Sequence, residues 1–170
     1  MYPILLALSL AITPAMKPTE TQLLARYIVS VHEGAEPYAE ELAERIIAES
    51  RFFGLSVSLF ASVGYIESRY HMYQPGQNPR DYLGSLWQIY PDKDWRKISR
   101  KQRMELSIHV PLNTWRAATI LAYHASRCGH TPRCYARYQS GNRNVSRGYV
   151  YELYRQAKVI RRVLHINPVR

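Results

Sequence analysis

An apolar series that ends on a carboxylate constrains this chain more than any other feature. Leu55, Leu59 and Val63 stand four residues apart, the spacing that lines one face of an α-helix. Glu67 is the next member of the series, so the helix aims an acid where an apolar side chain is expected. The same residue falls near the end of that helix, where the backbone dipole disfavours negative charge. Burial and the dipole both favour the protonated carboxyl and raise its pKa. A protonated carboxyl is what cleavage of a glycosidic bond requires, because the leaving oxygen must receive a proton. Read from this segment alone, a structural glutamate paired with Arg69, or with an arginine of the second half, is the simpler explanation.

Periodicity predicts further helices on both sides. Thr19 and Gln22 have capping-box spacing ahead of Leu24, Ile28 and Val31, a helix that ends by Gly34. Pro37 suits the first turn of a second helix, with Ala39, Leu42, Ile46 and Phe53 as its stripe and Gly54 as its stop. Ser56 then starts the helix that carries Glu67. Residues 71–83 are rich in Pro, Asn and Gly and read as loop, and 82–90 read as a small hairpin or extended segment. Ser99 caps a short basic helix. Pro111 opens a long one with Leu112, Trp115, Ala118, Ile120, Leu121 and Ala122, and Thr131-Pro132 begins another short one. Residues 139–148 read as loop before a last helix from about Tyr149 to Leu164. With 170 residues, no repeat and no interdomain linker, the expectation is a single, mainly α domain.

Hydrophobic residues are 46% of the chain and charged ones 21%, the balance of a globular protein rather than a disordered one. The net charge of +10 is uneven, at −3 over residues 1–79 and +13 over 80–170. A basic half attracts a polyanion, whether nucleic acid, anionic lipid or an acidic cell wall. No recognised nucleic-acid module is present, so nucleic acid is not the expected partner. Fourteen tyrosines and three tryptophans supply packing, and also flat walls on which sugar rings stack.

Residues 1–15, MYPILLALSLAITPA, carry an apolar run from Ile4 to Ile12 that is short for a bilayer span. Thr13 and Ala15 are small residues before a cleavage point, but no Lys or Arg precedes the run. The segment reads as a secretory signal peptide, an uncleaved anchor, or a plain helix, and the first of these implies export. Cys128 and Cys134 then read as one small disulfide loop. Two free thiols are the alternative, and so is a metal site around His130, for which too few ligands are near.

Two further segments bear on chemistry. In residues 82–91, YLGSLWQIYP, Tyr82, Trp87 and Tyr90 offer stacking surface, Gly84-Ser85 a close backbone approach, and Gln88 an amide that both donates and accepts. An acetamido sugar needs both, and an aromatic hairpin packed on helices explains the segment equally well. Residues 134–141, CYARYQSG, place a tyrosine before a glycine-bearing turn.

Taken in order, the three segments resemble the soluble lytic transglycosylase family of the lysozyme superfamily. That family carries a Glu-Ser pair at a helix end, a Gly-Leu-Met-Gln-Ile turn followed by Pro, then Ala-x-Tyr-Asn-x-Gly. Here these are Glu67-Ser68, then Ser85-Leu86-Trp87-Gln88-Ile89 with Pro91, then Ala136-x-Tyr138-Gln139-x-Gly141. The likeness covers about residues 38–162, including a tyrosine, Tyr149, ahead of the last helix. Ser85, Trp87 and Gln139 depart from the family's usual Gly, Met and Asn, and the loop between Glu67 and Gln88 is longer than usual.

The resemblance implies a lysozyme-like fold, α+β with a very small β element, over residues 38–165, behind a leader at 1–15 and an N-terminal helix and linker at 16–37. It implies Glu67 as the single acid/base. Ser68, Ser85, Gln88, Tyr138 and Tyr149 would be substrate-binding residues, Ser68 supporting either the glutamate or the sugar. No cofactor or metal is implied. The implied partner is the peptidoglycan glycan strand, met in the periplasm or cell envelope, in the service of a secretion, conjugation or phage assembly. Membrane contact would come only through the N-terminal segment. Hydrolysis by a muramidase, with Asp81, Asp92 or Asp94 holding the water, is the alternative within the enzyme class. A non-catalytic wall-binding assembly protein is the alternative outside it. Metal and serine hydrolases are excluded on motif, since neither His-Glu-x-x-His nor Gly-x-Ser-x-Gly occurs.

Overall fold

A computed structural model describes residues 17–72, 86–89, 99, 101–102, 105, 108–140 and 144–165. The described chain is mainly α, and no strand occurs among the described residues. Helices α1 (Glu20–Val31), α2 (Ala39–Phe53) and α3 (Val57–Ser68) are followed by α4 (Val110–Cys128), the short α5 (Pro132–Tyr135) and α6 (Arg137–Ser140), and α7 (Arg147–His165).

Local chemistry sets these boundaries. Thr19 and Gln22 exchange reciprocal bonds of 3.2 and 3.0 Å at the start of α1. Ser99 and Gln102 do the same, at 3.2 and 3.0 Å, before helical residues 101, 102 and 105. Gly54 closes α2 at φ +64°, and Ser56 caps α3. Pro37 is not in the first turn of α2. It lies in the turn before Tyr38, which caps that helix, because a 3-10 turn at Glu33–Ala35 takes up the chain between α1 and α2.

The central element is α3. Every residue from Ser58 to Gly64 is buried, so the helix is covered all round rather than along one stripe. It packs most extensively on α7 and also meets α2 and α5. Helix α1 lies on α2 and α7, with Leu24 and Ile28 in the common core. Helix α4 covers the other side of α2. Its inward face is Val110, Asn113, Thr114, Ala117, Ala118 and Leu121; Ala118 and Leu121 of the expected stripe lie on it, while Trp115 is exposed. Small residues let α4 approach closely, and Thr114 is there to satisfy a buried indole, as described below.

Cys128 and Cys134 form a disulfide that joins the end of α4 to α5. Tyr135 accepts a 2.9 Å bond from the backbone N–H of Ser56, tying α5 to the start of α3. Among the described residues no helix is long and apolar enough to cross a membrane.

Candidate active site

The last turn of α3 and the first turns of α7 meet at Glu67. Its carboxyl is half-buried, and the Tyr149 hydroxyl donates to Oε1 at 2.5 Å. Desolvation raises the Glu67 pKa, and the Tyr149 bond, which favours the anion, partly opposes it. Among the described residues no lysine or arginine pairs with this carboxyl. Arg69, the partner in the simpler reading, instead lies over the Tyr65 ring, 4.0 Å from its centroid. The Tyr149 hydroxyl is itself pushed far above its ordinary pKa, first by burial and then by the nearby Glu67 charge. It remains a donor at any physiological pH.

Beyond Ser68 the backbone turns sharply. Arg69 and Tyr70 both take left-handed conformations, at φ +55° and +63°. Non-glycine residues adopt these only where the surroundings hold them. Tyr70 is held from several sides. Its ring is fully buried, its hydroxyl donates to the Ala61 carbonyl at 2.9 Å, and its carbonyl accepts from the Tyr38 hydroxyl at 2.7 Å. The helix carrying Glu67 therefore ends at a fixed place.

Residues 86–89 lie against that end. Trp87 is wholly buried, stacked on Phe60 at 4.6 Å, with its Nε1 donating to Thr114 at 3.2 Å. It is core: of the two readings its segment allowed, packing against helices holds for Trp87 and sugar stacking does not. Gly64 makes room for it, since a Cβ there would sit 3.1 Å from both the Trp87 and the Tyr70 rings. Ser68 donates to the Leu86 carbonyl at 2.7 Å, and Tyr138 donates to the Trp87 carbonyl at 2.7 Å. These two hydroxyls hold consecutive carbonyls of the turn, and Gln88 follows at φ +49° with its side chain exposed.

The structure thus gathers Glu67, Ser68, Gln88, Tyr138 and Tyr149 around the end of α3. It gives three of them positioning contacts: Ser68 and Tyr138 on the turn, and Tyr149 on the acid. Ser68 bonds to the turn backbone rather than to Glu67. The Glu67 charge also raises the Tyr138 hydroxyl pKa, after burial, which places that ring in the same site. Ser85, Asp81, Asp92, Asp94, Tyr82 and Tyr90 lie outside the described residues. Tyr70, Tyr38 and Thr114 were not singled out from sequence. For Thr114 a signal existed, since it falls four before Ala118 and seven before Leu121 on the inward face of α4. Among the described residues no group of histidine, cysteine or acidic side chains is arranged to hold a metal.

No protein-family model, curated protein or solved structure matches this chain.

Proposed function

We propose that this protein has a lysozyme-like fold and is an exported lytic transglycosylase that cleaves the N-acetylmuramic acid to N-acetylglucosamine β-1,4 bond of peptidoglycan. The observation that carries the reading is the Glu67 carboxyl, raised in pKa by burial and bonded to one neutral donor at the end of a buried helix. A structural glutamate in so dry a place would be expected to have a cation. A catalytic acid instead needs to exist protonated and then to survive as an anion. Burial supplies the first condition and the Tyr149 hydroxyl the second.

With Tyr149 donating to Oε1, Oε2 would carry the proton. Glu67 gives that proton to the glycosidic oxygen as the bond to the anomeric carbon breaks. Positive charge develops at that carbon, and the C6 hydroxyl of the same muramic acid closes on it. Its proton returns to Oε2, which regenerates the acid and leaves a 1,6-anhydro end. No water enters the balance. The attack is intramolecular, so the hydroxyl has a large effective concentration. The turn at 86–89, fixed by Ser68 and Tyr138, would carry Gln88 to the acetamido group, with one face of the sugar on the Tyr138 side.

The test is digestion of purified peptidoglycan by wild type and Glu67→Gln, with mass spectrometry of the products. Anhydro ends from wild type, and loss of at least about a hundredfold in rate for the variant, are expected. Reducing muramic acid ends would replace the transglycosylase by a muramidase. Clearing by the variant at near the wild-type rate would remove Glu67 from the chemistry.

A further inference from the structure

Across α7 from Glu67 lies a separate groove, with a volume of about 620 Å³. It runs between α5 and the first two turns of α7. Arg133 of α5 and Arg147 of α7 both line it, with the aromatic Tyr151 and Tyr154 and the apolar Val145 and Val150. Neither arginine is paired with a carboxylate among the described residues. The acid of this helix, Glu152, is already engaged by Arg155 and Gln156. Tyr151 and Tyr154 are 67% and 59% exposed, large aromatic rings left in water beside a cavity of ligand size. Nothing in the account of Glu67 uses any of these residues.

We propose that this groove binds a short, carboxylate-bearing peptide, and specifically the acidic stem peptide of the same wall polymer. Each guanidinium offers a planar fork that matches a carboxylate in two parallel bonds, so two arginines lining one groove, neither paired among the described residues, suit a ligand with two carboxylates. The valines of the same lining suit small apolar groups such as methyls. A polynucleotide would ask for a longer basic track and for bases splayed on the rings, whereas this groove is short and has an apolar lining. Position favours the peptide as well. Tyr149, Val150 and Tyr151 are consecutive, so one helical turn presents Tyr149 to the acid and its neighbours to the groove. The two sites are separated by roughly a helix diameter, about 10 Å. A glycan strand cleaved at Glu67 carries its peptide on the muramic acid at that bond, so peptide and groove would meet around the same turn of α7. The identification of the peptide's source rests on the function proposed above; the chemistry of the groove does not.

The experiment is a titration of the full chain with free stem peptides released from peptidoglycan by an amidase and labelled at their amino end. Wild type is compared with Arg133→Gln/Arg147→Gln, with Tyr151→Ala/Tyr154→Ala and with Glu67→Gln. The arginine pair should raise Kd at least about tenfold and the tyrosine pair by less, while Glu67→Gln leaves it unchanged. Amidating the peptide carboxyls should weaken binding to wild type by a similar factor. Equal affinity for the amidated peptide, or for the arginine variant, overturns the proposal. So does an oligodeoxythymidine probe that binds more tightly than the peptide through the same residues. No glycan is present in this titration. Tight peptide binding by a protein that fails to cleave peptidoglycan would therefore sink the function and spare the groove, and cleavage without peptide binding would do the reverse.

Discussion

Two glutamates, on the two helices that pack most closely, have opposite surroundings. Glu67 ends α3 in a half-buried position, meets a tyrosine hydroxyl, and has its pKa raised, chiefly by desolvation. Glu152, on the second turn of α7, is bonded to Arg155 at 2.7 and 3.0 Å and to Gln156 at 3.1 Å, and its pKa is lowered, chiefly by those bonds. Burial thus favours the neutral form of this side chain in one place, and hydrogen bonds favour its anion in the other. The difference is water and counter-charge rather than sequence neighbours, since an arginine lies two residues from Glu67 and three from Glu152. In the first case the helix ends and the arginine turns onto Tyr65. In the second the helix continues and brings the pair onto one face.

The largest consequence concerns Glu67→Gln. The amide keeps an acceptor for Tyr149 but cannot ionise, so activity should vanish while the fold improves at neutral pH. The sign follows from linkage: a carboxyl whose folded pKa is raised penalises the native state above that pKa, and the penalty fades toward the ordinary value of 4.5. Melting curves should show the variant at or above wild type at pH 7 and level with it near pH 4. A less stable variant at pH 7 would mean the charge is wanted for structure.

Tyr149→Phe comes next. It removes the bond that lowers the Glu67 pKa, so the alkaline limb of the pH–rate profile, where the acid is lost, should move to higher pH. Stability at neutral pH should fall by about 1–2 kcal/mol, because a partly buried carboxylate loses its donor. An unmoved limb would show that the bond forms only without substrate.

Gly64→Ala probes how firmly the end of α3 is set. Alanine gains about 1 kcal/mol of helix propensity, but overpacking costs about 1–3. The atoms it meets belong to Trp87 and Tyr70, two wholly buried rings with little room to yield. A net loss of about 1 kcal/mol by denaturant unfolding is expected, with a raised KM because Trp87 carries the turn before Gln88. A stabilised variant would show the rings to be softer than their burial suggests.

The smallest effect belongs to Glu152→Gln. Exposed ion pairs contribute little, so the melting temperature should stay within about 2 °C of wild type at pH 7 and activity should be unchanged. The stability Glu152 does provide is present above its unfolded pKa and lost as pH falls through the lowered folded one, opposite to Glu67. A large loss would make α7 depend on this pair and end the contrast between the two acids.

The sequence by itself determined most of the helices and the place of the acid, although α6 (Arg137–Ser140) and the start of α7 (Arg147–His165) run into the 139–148 expected as loop. Caps and stops such as Thr19, Gly54, Ser56 and Thr131 act within a turn or two of chain, so their effect is legible locally. The four-residue series through Leu55, Leu59 and Val63 likewise fixes which way Glu67 leaves the helix, and two nearby cysteines were a disulfide in waiting. What only the tertiary structure decided is how each polar or aromatic group is used. Trp87 became core because α4 brought Thr114 to its indole nitrogen from 27 residues away. Tyr149 became the partner of Glu67 across 82 residues, and Ser68 and Tyr138 became clamps on one turn. Away from a helix start, where Thr19, Ser56 and Thr131 act as caps, a hydroxyl or an indole has no preferred role in its own sequence window. Its role is set by whichever donor or acceptor the packed helices leave beside it when water is removed, and burial makes that pairing obligatory.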